Sequence, residues 1–165
     1  MKIKLREGAV PRLVTTTKSI PKHWQESTEK TLKRLLDDNI IERVPIDEPT
    51  DWISPGFFVE KDGGKGLRLF TDFSNLNQWV QRPVHPFPCT QEIIQNIPAG
   101  SRVFAKLNAT QGYHQIKLDD DSSALTTFLL QFGHFRYIHG PMDLRSMSDE
   151  WCGRCLLYTS DAADE

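Results

Sequence analysis

Apolar positions recur every three to four residues from Trp24 through Thr28, Leu32, Leu35 and Leu36 to Ile40, with Glu and Lys between them. That spacing predicts an amphipathic helix over residues 21–39. Pro21 suits its first turn, where a missing N–H removes no hydrogen bond. Pro45, Pro49 and Pro55 then predict a loop. Residues 57–61 and 67–72 read as strands around a glycine-rich turn, the pattern of a hairpin. Pro83, Pro86 and Pro88 predict extended chain over residues 82–88, because each proline also disfavours helix in the residue before it. A short helix is expected over 90–97, capped by Thr90, and a strand over 102–107 after the break at Pro98, Ala99 and Gly100. Residues 125–130 and 135–139 read as a second strand pair, turning at 131–134, and a last helix begins near Ser146. Residues 1–18 show little periodicity and read as an extended entry segment. The sum is an α+β chain with mostly antiparallel strands.

Composition narrows the class. The 165 residues are 38% hydrophobic and 25% charged, with 10 Gly and 10 Pro, which is globular usage and neither collagen-like nor low-complexity. No apolar run approaches the ~18 residues of a membrane span, and the basic start lacks the apolar core of a secretory signal. These features, with an odd count of three cysteines, predict an intracellular chain with reduced thiols and no membrane partner. The net charge of −2 argues weakly against a nucleic-acid partner.

Several clusters invite chemistry. CGRC at residues 152–155 has the spacing of a redox pair or of half a zinc site, but no second pair and no βαβ pattern accompany it. Residues 155–165, CLLYTSDAADE, match one reading frame of a common transposase-based sequencing adapter, so the pair reads as a junction. With that tail set aside, residues 1–154 carry 20 basic and 19 acidic side chains and the charge argument lapses. Asp119, Asp120 and Asp121 read as a solvated turn rather than a cation site, because adjacent side chains diverge. The turn at Gly63, Gly64 and Gly66 lacks the Walker pattern, yet Lys61, Lys65 and Arg68 surround it, and clustered cations suit a polyphosphate.

FAKLNATQGYHQIKLD at residues 104–119 resembles the first palm motif of reverse transcriptases of gypsy-type LTR retrotransposons and their retroviral relatives. Other segments follow in the family's order. Residues 21–41 resemble the leading fingers helix. WISPGFFVEKDG (52–63) resembles W-x-S-P…V-x-K-K-D-G, and LRLFTDFSNLN (67–77) resembles L-R-x-x-x-D-[YF]-x-x-L-N. RPVHPFP (82–88) resembles the linker into the palm. FGHFRY (132–137) and GPMDL (140–144) resemble the two motifs that follow. The resemblance spans residues 9–153. It implies fingers over 21–88 after an extended segment 1–20, then a partial palm with a return to the fingers over 89–154.

What the resemblance implies about function is RNA-templated DNA synthesis by two Mg²⁺ ions. The implied partners are a primed RNA or DNA template, deoxynucleoside triphosphates, and the remainder of a Pol polyprotein: rest of palm, thumb, RNase H, protease and integrase. Lys61 and Arg68 would then contact the incoming triphosphate from the fingers hairpin. Tyr113 would pack under the incoming sugar, and the backbone at Gln111 and Gly112 would approach the phosphates. The sequence departs from the family in three places. Asn108 stands where the family has a metal-binding Asp, which removes a charge from a site for two dications. Asp143 stands where a Gly is expected, and Tyr-x-Asp-Asp does not occur. The reading is a reverse transcriptase fragment that is inactive as it stands; the alternative is a co-opted, non-enzymatic nucleic-acid-binding module.

Overall fold

The computed structural model describes residues 1–45, 47–61, 63, 66–82, 90–104 and 108–161. Five strands form one sheet in the order β1-β5-β4-β2-β3. These are β1 (Ile41–Arg43), β2 (Ser54–Glu60), β3 (Leu67–Thr71), β4 (Phe128–Leu130) and β5 (Gly133–Tyr137). Neighbours run antiparallel except β2 and β4, which pair in parallel through Ser54 and Phe128. The parallel pair joins the early hairpin to the late one, so the sheet is mixed.

The leading helix is as the periodicity predicts. A single 3-10 turn (Lys22–Trp24) feeds α1 (Gln25–Asp37), whose Thr28, Leu32 and Leu35 are buried. Asn39, with φ of 53°, turns the chain out of the helix and into β1. The first hairpin pairs Phe57 with Phe70 and Val59 with Arg68. On β2 the buried positions Ser54, Gly56 and Phe58 alternate with partly exposed ones. Gly56 is required there: a Cβ would lie 2.9 Å from both Leu130 and Phe128 side chains on the neighbouring strand. The core is built on Phe73, Phe128 and Phe135, with Ile41, Leu76, Val80, Ile116, Leu144 and Met147 closing it.

The entry segment is extended, as expected, and it is tied down. The Ile3 N–H donates to Ser122 Oγ at 2.7 Å, Leu5 bridges to Val80, and Leu13 bridges to Ile53. β1, α2 (Ser74–Trp79) and a 3-10 turn (Gly112–Gln115) lie outside the predictions from the pattern. The short helix α3 (Thr90–Gln95) forms where expected.

Three expectations are corrected. The strand placed over 125–130 begins only at Phe128, because Leu125 ends a helix, α4 (Asp120–Leu125). The acidic run is that helix's start rather than a turn between strands. Asp119 caps it by accepting from the Ser122 N–H at 2.9 Å, and Asp120 and Asp121 sit where the helix dipole favours negative charge. The strand placed over 102–107 is absent at residues 102–104, and 105–107 lie outside the described residues. Val103 is 90% exposed and Phe104 69%, and no described strand pairs with them; an apolar run without a partner has no ladder to join. The extended stretch 82–88 also lies outside the described residues beyond Arg82. The last helix, α5 (Arg145–Asp161), starts one residue before the expected Ser146 and runs on to Asp161, into the stretch read as adapter.

Candidate cationic pocket

The first hairpin fixes where its cations stand. Lys61 follows β2, and its N–H donates to the Gly66 carbonyl at 2.9 Å, closing the turn. Arg68 lies opposite Val59 on β3. Both side chains line a cavity of about 170 Å³ between the hairpin, α1 and the 3-10 turn Gly112–Gln115. Thr31 and Arg34 enter from α1, Gln111 and His114 from the turn, and Leu69, Phe73 and Tyr137 form the apolar side; Asp143 is at the rim. Pockets for whole small ligands run ~300–1,000 Å³. This one therefore suits a compact polar group rather than an entire nucleotide.

Its charge is positive. Arg34, Lys61 and Arg68 line it with, among the described residues, a single carboxylate, Asp143. None of the three cations forms an ion pair among the described residues. Lys65, the third cation read around the turn, lies outside the described residues.

The turn that carries Gln111 is wound by a left-handed residue. Gln111 has φ 51° and ψ 44°, a conformation that costs a non-glycine residue of order 1 kcal/mol and persists only where neighbours hold it. Here the holders are local: His114 N–H donates to the Gln111 carbonyl at 2.9 Å, and Gln115 Nε2 donates to the Thr110 carbonyl at 2.9 Å. His114 Nδ1 lies 3.3 Å from Gln111 Oε1. Burial holds the His114 pKa below its ordinary 6.5, and the nearby His139 and Arg34 add to the effect. Asp143 moves the other way: partial burial raises its pKa, the Thr71 backbone hydrogen bond opposes this, and the charge of Asp72 adds to the rise.

The site residues read from the motifs therefore divide. Lys61, Arg68 and Gln111 meet at one cavity. Gly112 and Tyr113 lie on the same turn but face α5: Tyr113 meets Trp151 edge-on at 6.4 Å between ring centroids, and a Cβ on Gly112 would lie 2.9 Å from the same indole. Asn108 stands in exposed irregular chain before the turn. Arg34, Thr31 and His114 were given no role by the motifs. Arg34 had a weak sequence signal, standing four residues after Lys30 on the polar side of α1.

The donor set does not fit a pair of Mg²⁺ ions. Asn108 brings no charge, and among the described residues no three Asp, Glu, His or Cys side chains converge. Cys152 and Cys155 are reduced thiols, the first half-buried and the second exposed.

The Pol polyprotein of transposon gypsy from Drosophila melanogaster is 31% identical over 144 residues, covering 79% of this chain and 14% of the relative. The chain is a homologue of gypsy-type retrotransposon Pol polyproteins. That of transposon 297, from the same fly, is 27% identical over 120 residues, covering 72% of the chain and 11% of the relative. The enzymatic polyprotein of figwort mosaic virus (strain DxS) is 30% identical over 124 residues, covering 73% and 18%. No family model matches the chain. Among solved structures, a protease-reverse transcriptase mutant of prototype foamy virus superposes with a TM-score of 0.68 at 18% identity, covering 97% of this chain and 20% of that one. The fold is that of a reverse transcriptase segment. The chain thus spans about a tenth to a fifth of the length of these relatives.

Proposed function

We propose that this chain is the fingers and partial palm of a retrotransposon reverse transcriptase, and that the cationic cavity receives the phosphate tail of an incoming deoxynucleoside triphosphate beside a primed template. The observation that supports this best is the convergence of Lys61, Arg68 and Gln111 on one cavity with Arg34 and, among the described residues, a single lining carboxylate. Planar guanidinium and compact ammonium together suit a polyphosphate, and the apolar side strengthens their field by keeping water away. Asn108 leaves the chemistry without its first carboxylate, so the chain binds nucleotide tails without joining them.

The test is calorimetric titration of pyrophosphate and dTTP into the chain at low salt. Lys61→Ala and Arg68→Ala should each weaken both by about tenfold, the scale of one charge-assisted hydrogen bond. Unchanged affinity in both variants would refute the pocket assignment. Primer extension on an RNA template with Mg²⁺ tests the inactivity: measurable incorporation overturns it. The neutral Asn108 also favours a second reading, a binding module without catalysis. Primer–template binding that falls steeply with salt supports that reading, and no binding even at low salt removes it.

A further inference from the structure

A second cationic groove opens on the far side of Arg34 and Lys61. It has a volume of about 400 Å³ and runs between α1 and the tip of the first hairpin. Ser27, Lys30, Thr31 and Arg34 line it from α1, and Lys61, Gly66 and Leu67 line it from the hairpin. Among the described residues, no carboxylate lines it. Lys30, like Arg34 and Lys61, forms no ion pair among the described residues. Thr31, Arg34 and Lys61 line both the groove and the nucleotide-tail pocket, so the two are joined at a shared wall.

The spacing along α1 gives the groove its direction. Ser27, Lys30, Thr31 and Arg34 fall at three- and four-residue intervals and so share one helix face. Arg34 stands at the pocket and Lys30 one turn back, about 6 Å along the axis for a 1.5 Å rise per residue. That step matches successive phosphates along an extended nucleic-acid strand, or every second phosphorus of a linear polyphosphate, so Lys30 reaches a phosphate further along the chain than the one at Arg34. Hydroxyls at Ser27 and Thr31 add donors beside the cations.

We infer that this groove is a second phosphate subsite, through which a phosphate chain longer than a nucleotide's tail continues from Lys61 and Arg34 to Lys30. The inference rests on the pocket reading above and adds to it. The shared chemistry is a linear phosphate chain, either an inorganic polyphosphate or the backbone of a single strand.

Lys30 separates the subsite from the pocket, because it lines only the groove. The experiment titrates the full chain and its Lys30→Ala variant with pyrophosphate, with linear polyphosphate of about ten units, and with a ten-residue oligothymidylate, over a salt series. Lys30→Ala should leave pyrophosphate affinity unchanged and weaken the longer chains about fivefold, the effect of one exposed cation. For the oligonucleotide, the slope of log affinity against log salt should also fall by about 0.7, one phosphate contact on a single strand. Loss with the oligonucleotide alone names a nucleic-acid backbone as the occupant, and loss with polyphosphate alone names a free phosphate chain. Equal loss for pyrophosphate, or no loss for either long chain, overturns the subsite. Failure of the pocket reading looks different: Arg68→Ala then leaves pyrophosphate binding intact. Circular dichroism of Lys30→Ala should match the parent, since Lys30 is exposed.

Discussion

Gly112→Ala tests why the turn beside the pocket begins with glycine. The φ of Gly112 is not in the left-handed region, so the backbone alone does not demand glycine. The obstacle is Trp151 on α5: an added Cβ would sit 2.9 Å from Cζ2, with two further ring atoms at 3.1 and 3.2 Å. A flat indole cannot fold out of the way, and Tyr113 already abuts it edge-on. Overpacking of this kind costs about 1–3 kcal/mol, while replacing Gly by Ala returns ~0.4–1 kcal/mol by narrowing the unfolded ensemble. The net expectation is about 1–2 kcal/mol of destabilisation, read from urea unfolding by far-ultraviolet circular dichroism. In a Trp151→Leu background the clash is gone, and the same change should become neutral or stabilising by up to ~1 kcal/mol. The cycle should therefore show a coupling of about 1–3 kcal/mol. Equal effects in the two backgrounds, within about 0.3 kcal/mol, would refute the packing argument. Pyrophosphate titration of the double variant adds a second reading: if Gly112 also lets backbone approach phosphate, affinity falls there although stability is restored.

Three further outcomes follow from the same geometry. Thr126 is fully buried, donates to the Ser123 carbonyl at 2.7 Å and accepts the Tyr137 N–H at 3.1 Å, so Thr126→Val orphans that N–H and should cost about 1–3 kcal/mol in urea melts, whereas Thr126→Ser, which keeps the hydroxyl, should cost about 1 kcal/mol. Because the folded pKa of His114 lies below its ordinary 6.5, the unfolded chain binds more protons below that pH, so stability should be full above 6.5 and decline as pH falls; His114→Gln should flatten this part of the profile in melts from pH 8 to 5. Asp143 is the one carboxylate lining the cationic pocket among the described residues, so Asp143→Asn should tighten pyrophosphate binding by about threefold to tenfold in calorimetry at low salt, with the gain shrinking as salt rises.

What the sequence made legible followed from local rules. The period of α1 needed only its own residues, and the hairpin needed only two short apolar runs and glycines between them. Once Val59 faces Arg68, Lys61 and Arg68 are near one another, so two members of the pocket could be named before any tertiary arrangement was known. Arg34 and His114 could not, because they reach the cavity through the docking of α1 and the Gly112 turn against the hairpin, and that docking is tertiary.

The strand misread at 125–130 has a definite cause: polar residues whose partners lie far along the chain. Residues 125–130 look like a strand by hydropathy, yet Ser122, Ser123 and Thr126 are buried. Ser123 Oγ donates to the Tyr137 carbonyl at 2.6 Å, and Ser122 Oγ receives the Ile3 N–H. A hydropathy pattern scores such residues as solvent-facing, so it shifts the apolar run toward a strand and misses the Asp119 cap. The stretch at 102–104 is the converse error. Its residues have strand preference, but preference of this kind expresses fit to a half-buried neighbouring strand rather than an intrinsic backbone choice. Without that neighbour among the described residues, Val103 and Phe104 face solvent, and residues 102–104 and Asn108 are irregular. Lys61 and Arg68, by contrast, stand on a hairpin that closes on itself, and the cationic cavity they line is assembled within this chain's own fold.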